Sequence, residues 1–564
     1  MSGVEPFAVT SLILQLLSGC LCGIQTISHM KGTKDEVRSA VLMLKLEEYR
    51  LTTWSLRSGA SDGLLHSGLD ENLVHRTLRH LKSLIGDTKT LCSSYGLAVQ
   101  DSQPVPATTS IATGITRGRT FPTFLSKKIR TISVSGVRSQ ITWVLQDKSK
   151  FDRLLAIMRS LIDVLHQGLG DINFDTMRED IGFLRLQMVN LADKIDDVRS
   201  VTQAIEINEG LDSDACTCAV VKALRIGMET TLPMTTNGTT SSPILPESMQ
   251  TIAPLRPRLL TSFSGNNRRG FANYDGSPVF VEWKRIVADE TVARGLRIER
   301  QVATLATLLS IEKGPTFRSL RCLGSFEDTA NFRYGFVYTL PNQSQSRVVS
   351  LFDLFYDSAF KASLTMRLEL AQNLAITLLH IHTAGWLHKG IRSSNVLFFS
   401  NGSPASLDQP YLMGYDFSRF DGENEVSEKP VPNSEEDLYR HPSAHPAAPS
   451  RYRKEFDVYS FGLVLMEIAK WKPLKHIAKD FIGRSGCTPD SLEQMKKTFL
   501  EPISNKVMDD LGFRAGSIYT QVVMSCLGSL SLNMSNENAD WGYREDLQEA
   551  FVEKVVKPLL SCSI

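Results

Sequence analysis

Apolar residues recur at helical spacing through the first two hundred positions. Val37, Val41, Leu44 and Leu51 stand three, four or seven apart, as do Val74, Leu78, Leu81 and Ile85, so each set draws one buried stripe along an amphipathic helix. The pattern stops at the stretch DSQPVPATTSIATGITRGRTFPTF, where Ser, Thr, Pro and Gly predict a long loop near residues 101–136. It resumes with Phe151, Leu154, Leu155, Met158, Leu161, Ile162 and Leu165. Ile181, Leu184, Met188, Leu191, Ile195 and Val198 then continue in steps of three and four, which suits a packed bundle seam or coiled coil, with core packing favoured over a separate oligomerisation strand. Residues 1–215 thus read as an all-α helical bundle. The polar text TTLPMTTNGTTSSPILPESMQTIAPLRPR buries too little apolar surface to order itself, and marks a flexible linker over residues 228–260. Beyond it the period changes. Runs such as PVFVEWKRI from Pro278 and YGFVYTL from Tyr334 read as strands, and helices follow from Leu364, so residues 261–564 read as a two-lobed α+β domain.

One helix stands apart by what it lacks. PFAVTSLILQLLSGCLCGIQTISHM, residues 6–30, is a run of 25 residues without Asp, Glu, Lys or Arg. That length could span a bilayer, although its Ser, Thr and Gln dilute it. MSGVEP before it is acidic rather than basic, which argues against a secretory signal. Leu12, Ile13, Leu16, Leu17 and Leu21 are expected to pack inside the bundle at rest. Gly19 and Gly23 form a GxxxG pair that would let two such helices meet in lipid, or, as the blander and favoured reading, let this one pack closely in the folded bundle. Leu12, Leu16, Gly19 and Gly23 are the candidate membrane-active positions.

Composition changes the picture little. With 62 basic against 61 acidic residues, no global field recommends nucleic acid as a partner. Nine cysteines in 564 residues, without a dense framework, read as reduced thiols, and Cys216 and Cys218 lack metal-site spacing. There is neither an HExxH nor a Walker lysine loop.

The chemistry is concentrated after residue 260. Lys284 ends the apolar run VFVEWK where protein kinases place the lysine that meets ATP phosphates, and LRIERQVATLATLL supplies Glu299 as its partner. ITLLHIHTAGWLHKGIRSSNVLFF resembles the kinase catalytic loop with its flanking helix and strand. His388 takes the histidine place and Asn395 the metal-binding asparagine place, but Gly390 stands where the catalytic base should be, and glycine can neither accept nor orient a proton. In PYLMGYDFSRF, one register puts Gly414 in the place of the metal-ligating aspartate, and a shifted one offers Asp416. SFSGNNRRGFANYDGSPVF holds no GxGxxG phosphate cradle. DVYSFG resembles the motif whose aspartate, here Asp457, braces the catalytic-loop backbone, and in YRHPS Ser443 replaces a glutamate. The resemblance implies a pseudokinase: weak ATP binding through Lys284, Glu299, Asn395 and Asp416, no Mg²⁺, and no confident catalytic residue.

The N-terminal part, with MSGVEPFAVTSLILQLLSGC, KLEEYRLTTWSL and SKFDRLLAIMRSLIDVLHQGL, resembles the HeLo domain of fungal prion-inhibition and cell-death proteins related to HET-s, over about residues 4–210. Joined to a kinase-like domain, the layout is similar to the fungal relatives of mixed-lineage-kinase-like cell-death executioners. The resemblance implies a protein that is cytoplasmic at rest, then homo-oligomerises and permeabilises the plasma membrane through its lipid. The C-terminal amyloid tail of HET-s is expected to be missing. Two other readings stay open: an atypical active kinase positioning Mg²⁺ through Asn395 and Asp416, and a scaffold whose helical domain only dimerises.

Overall fold

The structure, a computed structural model, describes residues 6–28, 30, 34–62, 65–66, 69–100, 142–169, 175–209, 213–231, 254–256, 259–266, 268–285, 292–342, 347–401, 406–421, 434–445, 451–479, 487–501, 506–528, 530 and 547–562. The loop expected at 101–136 lies outside the described residues, as does most of the linker expected at 228–260. The chain divides into two compact units, Met1–Met188 with Asp196–Leu211, and Val189–Ile195 with Asp212–Ile564.

The first unit is built on helices α1 (Pro6–Ser28), α2 (Lys34–Arg57), α3 (Glu71–Gly86), α4 (Thr88–Ser94), α5 (Lys148–Gln167), α6 (Asp175–Leu191) and α7 (Ile195–Glu209). Side-chain carboxylates start several of them: Asp70 accepts the N–H groups of Asn72 and Leu73, and Asp147 that of Lys150, satisfying donors that a helix N-terminus leaves open. The stripes read from the sequence are buried, Val74, Leu78, Leu81 and Ile85 on α3 and Phe151, Leu154, Leu155, Met158, Ile162 and Leu165 on α5, while Leu161 of the second run is only half-buried. An all-helical unit was expected, but a short antiparallel ladder pairs β1 (Leu97–Gln100) with β2 (Thr142–Leu145). Across residues 181–198 Leu184, Met188, Leu191 and Val198 are buried, but not on one continuous helix. The helix stops at Leu191 and restarts at Ile195, because the segment Val189–Ile195 belongs to the second unit, where Lys222 Nζ donates to the carbonyls of Val189 at 2.9 Å and Asn190 at 2.6 Å and so satisfies acceptors that a continuing helix would use.

On α1 the residues Ile13, Leu16, Leu17, Cys20, Leu21, Ile24 and Ile27 are buried. Leu12, expected inside with them, is 40 % exposed, because it sits at the edge of the arc that this stripe defines. Gly19 and Gly23 lie where α1 meets α3: an added Cβ would stand 2.7 Å from Lys82 Cε and 2.9 Å from Ile85 Cδ1. Among the described residues no helix is long and apolar enough to cross a membrane.

In the second unit a five-stranded antiparallel sheet runs in the order β3 (Leu260–Gly265), β4 (Arg269–Tyr274), β5 (Ser277–Arg285), β7 (Arg333–Thr339), β6 (Cys322–Asp328). Asp275 and Gly276, at φ 48° and 78°, join β4 to β5 as the two left-handed residues a tight hairpin requires. Val279, Val281 and Trp283 pack with Ala272, Phe326 and Val337 on one face. Helix α8 (Ser213–Thr231) precedes this sheet in the chain, and α9 (Val292–Ser310) packs against β6. The helical remainder centres on α10 (Leu364–Thr383), α11 (Lys454–Lys470) and α12 (Lys506–Leu527). From Lys454 to Ala469 every residue of α11 is buried, which explains why its sequence carries no polar face. Gly462 brings α12 onto it, since a Cβ there would stand 2.7 Å from that of Cys526.

Candidate functional site

Asp457, on the first turn of α11, organises the loop 388–395. Its carboxylate accepts the backbone N–H groups of His388 and Lys389, each at 2.8 Å, and the Tyr452 hydroxyl at 2.9 Å, with His382 Nε2 at 3.3 Å. Burial alone would raise Asp457, but the bonds from His382 and the loop backbone hold its carboxyl below the ordinary range. Held in this way, Lys389 adopts φ 63°, a conformation costly for a side-chain-bearing residue. Burial holds the His388 imidazole at about 4, so it is neutral, and its Nδ1 accepts the Gly390 N–H at 3.2 Å.

Lys284 is 3 % exposed near the end of β5. Its Nζ donates to the backbone carbonyl of Asp416 at 2.6 Å and lies 4.9 Å from the centre of the Phe417 ring. Glu299 is exposed on α9, and among the described residues no ion pair joins it to Lys284. Its charge is felt instead by Tyr334, whose phenol is raised first by burial and then by Glu327 and Glu299. The structure thus brings Lys284 to Asp416 and leaves Glu299 apart.

A Cβ on Gly390 would meet the Gly414 carbonyl oxygen, Asn395 Nδ2 and His388 Nδ1. The Gly390 carbonyl accepts Asn395 Nδ2 at 2.8 Å, and the far side of that amide, Oδ1, accepts an N–H of Arg269 at 2.8 Å. Arg269 also donates to the Ser394 carbonyl at 3.0 Å and lies 3.4 Å from Glu282. These two face one another across the β4–β5 ladder. Glu282, two positions before Lys284 and so on the same strand face, accepts the Gly414 N–H at 3.2 Å. Burial pushes the Glu282 carboxyl up, against the pull of Arg269. Gly414 has φ +84°, and a Cβ there would collide with the Asn395 amide.

The arrangement is cationic on one wall and nearly solid inside. Arg268, Arg269, Lys284 and Arg392, with Asn395 and the carboxylates of Glu282 and Asp416, line a cavity of only ≈ 20 Å³, room for about one water. A wider groove of ≈ 460 Å³ opens beside it, between the β3–β4 hairpin and Arg347, Ser350 and Asp353. Arg392 reaches Glu436 at 3.1 Å, and Arg268 bonds the same carboxylate. Among the described residues no group of three His, Cys, Asp or Glu side chains is placed to hold a metal ion. Sequence reasoning missed Arg269, Glu282 and Arg392. The signal was present for the first two: a carboxylate inside the otherwise apolar strand VFVEWK, and a double arginine one hairpin before it.

In the helical unit the motif LEEYRL is also a polar network. Glu47, fully buried, accepts from Arg159 at 2.9 Å and Arg50 at 3.0 Å, Gln25 of α1 donates to Glu48 at 2.7 Å, and Arg185 of α6 donates to the Tyr49 hydroxyl at 3.1 Å. The four residues therefore tie α2 to α1, α5 and α6.

No curated protein matches the chain. Residues 331–562, which include α10, α11 and the loop 388–395, match a family described as a domain of unknown function (DUF7580). Residues 7–200 match the HeLo family, described as prion-inhibition and propagation, and cover α1 to α6 with the LEEYRL network, so this part of the chain is a HeLo domain.

Proposed function

We propose that the chain is a cell-death, or incompatibility, effector in which a catalytically silent kinase-like unit restrains a membrane-permeabilising HeLo domain. A HeLo domain points to fungal prion-like or incompatibility signalling. The observation that carries the finer reading is α1, a helix of 23 residues with no charged side chain between Pro6 and Ser28, whose apolar stripe is hidden in the folded unit. Such a helix loses its cover only if something releases it. Exposed apolar surface of that extent then favours lipid or a second copy of itself.

The kinase-like part of the reading rests on the order Lys284, His388, Asn395, Asp457, and on Asp457 bracing the loop backbone. Its silence rests on Gly390, because phosphoryl transfer needs a group to receive the hydroxyl proton and carboxylates to place metal. ATP enters this reading as at most a weak ligand, and homo-oligomerisation as the step that brings the protein from cytoplasm to plasma membrane. To test it, full-length protein fused to an inducible dimeriser is mixed with dye-loaded vesicles containing anionic lipid. Dye release is expected on adding the inducer and not before. A folded, oligomerised chain that releases no dye would leave the dimerising scaffold as the better account.

A further inference from the structure

We infer that Arg269 and Glu282 close the cleft of the C-terminal unit from within, their pair and its bonds to the loop at Asn395 and Ser394 standing where a nucleotide would otherwise join the sheet to the helical half. The inference rests on the kinase-like reading for what the cleft would hold, and on geometry alone for its being closed.

A ligand that bridges a sheet and a loop must find apolar or donor surface on both, and room between. Here one side chain does the bridging. The guanidinium of Arg269 leaves β4, meets Glu282 of β5 at 3.4 Å, and donates to Asn395 Oδ1 at 2.8 Å and the Ser394 carbonyl at 3.0 Å. Glu282 completes the circuit by accepting the Gly414 N–H at 3.2 Å. Three segments, the β4–β5 hairpin, the loop at 394–395 and the residue before Tyr415, are thereby tied together by the unit's own side chains. Arg269 is 12 % and Glu282 10 % exposed at the side chain, so water screens the pair little and removing one member strands the other. The space beneath it, lined by Lys284, Asn395 and Asp416, is ≈ 20 Å³, too small for a purine base, and the ≈ 460 Å³ groove beside it shares only Arg268 and Arg269 with that space, so the arginines stand between the two. Lys284 is likewise occupied with the Asp416 carbonyl rather than directed at open space. Asn395 has both ends of its amide engaged, by Arg269 and by the Gly390 carbonyl, so a metal ion would have to break the first bond to reach its oxygen.

The consequence is a unit whose closed form does not depend on nucleotide, and whose cleft can be opened by removing two side chains. Replacing both members of a buried pair by apolar residues is tolerated far better than removing one. The test is therefore full-length Arg269→Val/Glu282→Ala beside the unmutated chain, with two readouts. Hydrogen exchange of residues 388–397 and of the β4–β5 hairpin is expected to rise about tenfold or more in the variant as the bridge is lost. Thermal melts with ATP or ADP, with and without Mg²⁺, are expected to show no shift for the unmutated chain and an upward shift for the variant. An equal shift in both would overturn the inference and leave the kinase-like reading standing. No shift in either, with exchange raised in the variant, would keep the closure and remove the kinase-like reading. Unchanged exchange would overturn the closure itself. Should the double variant fail to fold, Glu282→Gln retains shape and hydrogen bonding but drops the charge opposite Arg269, and the same rise in exchange is required of it.

Discussion

At Gly390 an added Cβ would stand 2.9 Å from the Gly414 carbonyl oxygen and 3.3 Å from Asn395 Nδ2, and a side chain on Gly414 would enter the Asn395 amide. Restoring a carboxylate at either place therefore displaces backbone or Asn395 before it can do chemistry. Gly390→Asp is expected to incorporate no labelled phosphate from ATP, like the unmutated chain. Robust labelling by the unmutated chain, lost in Lys284→Ala, would contradict the account. A second residue gives the unit a pH signature. Glu467 of α11 is fully buried, hydrogen-bonded to the Tyr439 hydroxyl and the Leu474 N–H, each at 2.6 Å, and burial pushes its carboxyl up to about 8. The folded state keeps a proton that the unfolded state gives up above its ordinary value, so this contribution is full below the unfolded pKa and is lost as pH rises towards about 8. His388 and His441, held at about 4 and about 3 by burial, act in the opposite sense, and only below the unfolded histidine value. Burial also holds the Lys313 ammonium down to about 7, which opposes this trend above that pH, so melting temperature should fall from about pH 6.5 to about pH 7, and Glu467→Gln should flatten that slope. A slope unchanged by the substitution would refute the assignment.

Among the elements, the stripes of α3 and α5 were legible because period alone writes them. The break between α6 and α7 was not: its cause, Lys222, lies some thirty residues further along, and nothing within residues 181–198 announces it. The β1–β2 ladder escaped for the same reason, since its two four-residue strands flank the stretch 101–141. On α1 the sequence gives the stripe but not its edge, and the difference between Leu12 and Leu16 can be measured. Leu16 is 7 % exposed and Leu12 40 %. Leu16→Glu buries an uncompensated charge and should cost roughly 3 to 5 kcal/mol of unfolding free energy. Leu12→Glu should cost within about 0.5 kcal/mol, as exposed substitutions usually do. Urea melts followed by circular dichroism distinguish them, and equal destabilisation would show the edge of the stripe to be wrongly placed. Because Leu12→Glu leaves the fold intact, its expected loss of vesicle leakage reports on lipid contact rather than on unfolding.

At the scale of the whole chain, a helical N-terminal part followed by a sheet-containing C-terminal part was legible from the switch of period near residue 260. The candidate site was legible only in part. Lys284, Asn395 and Asp457 announce themselves by order and spacing, whereas the pairing of Arg269 with Glu282 depends on a strand register that no single-residue pattern fixes. The account's central claim is that α1 is packed at rest and released on activation, and one thiol reports on it. Cys20 of α1 is fully buried, donates to the Leu78 carbonyl of α3 at 3.4 Å, and burial pushes its thiol up to about 12, so at rest it has neither the access nor the thiolate to react. In full-length Cys22→Ser protein, maleimide labelling of Cys20, read by peptide mass spectrometry, should be slow in solution and fast once forced oligomers meet anionic vesicles. Leakage that proceeds while Cys20 stays protected would contradict the claim.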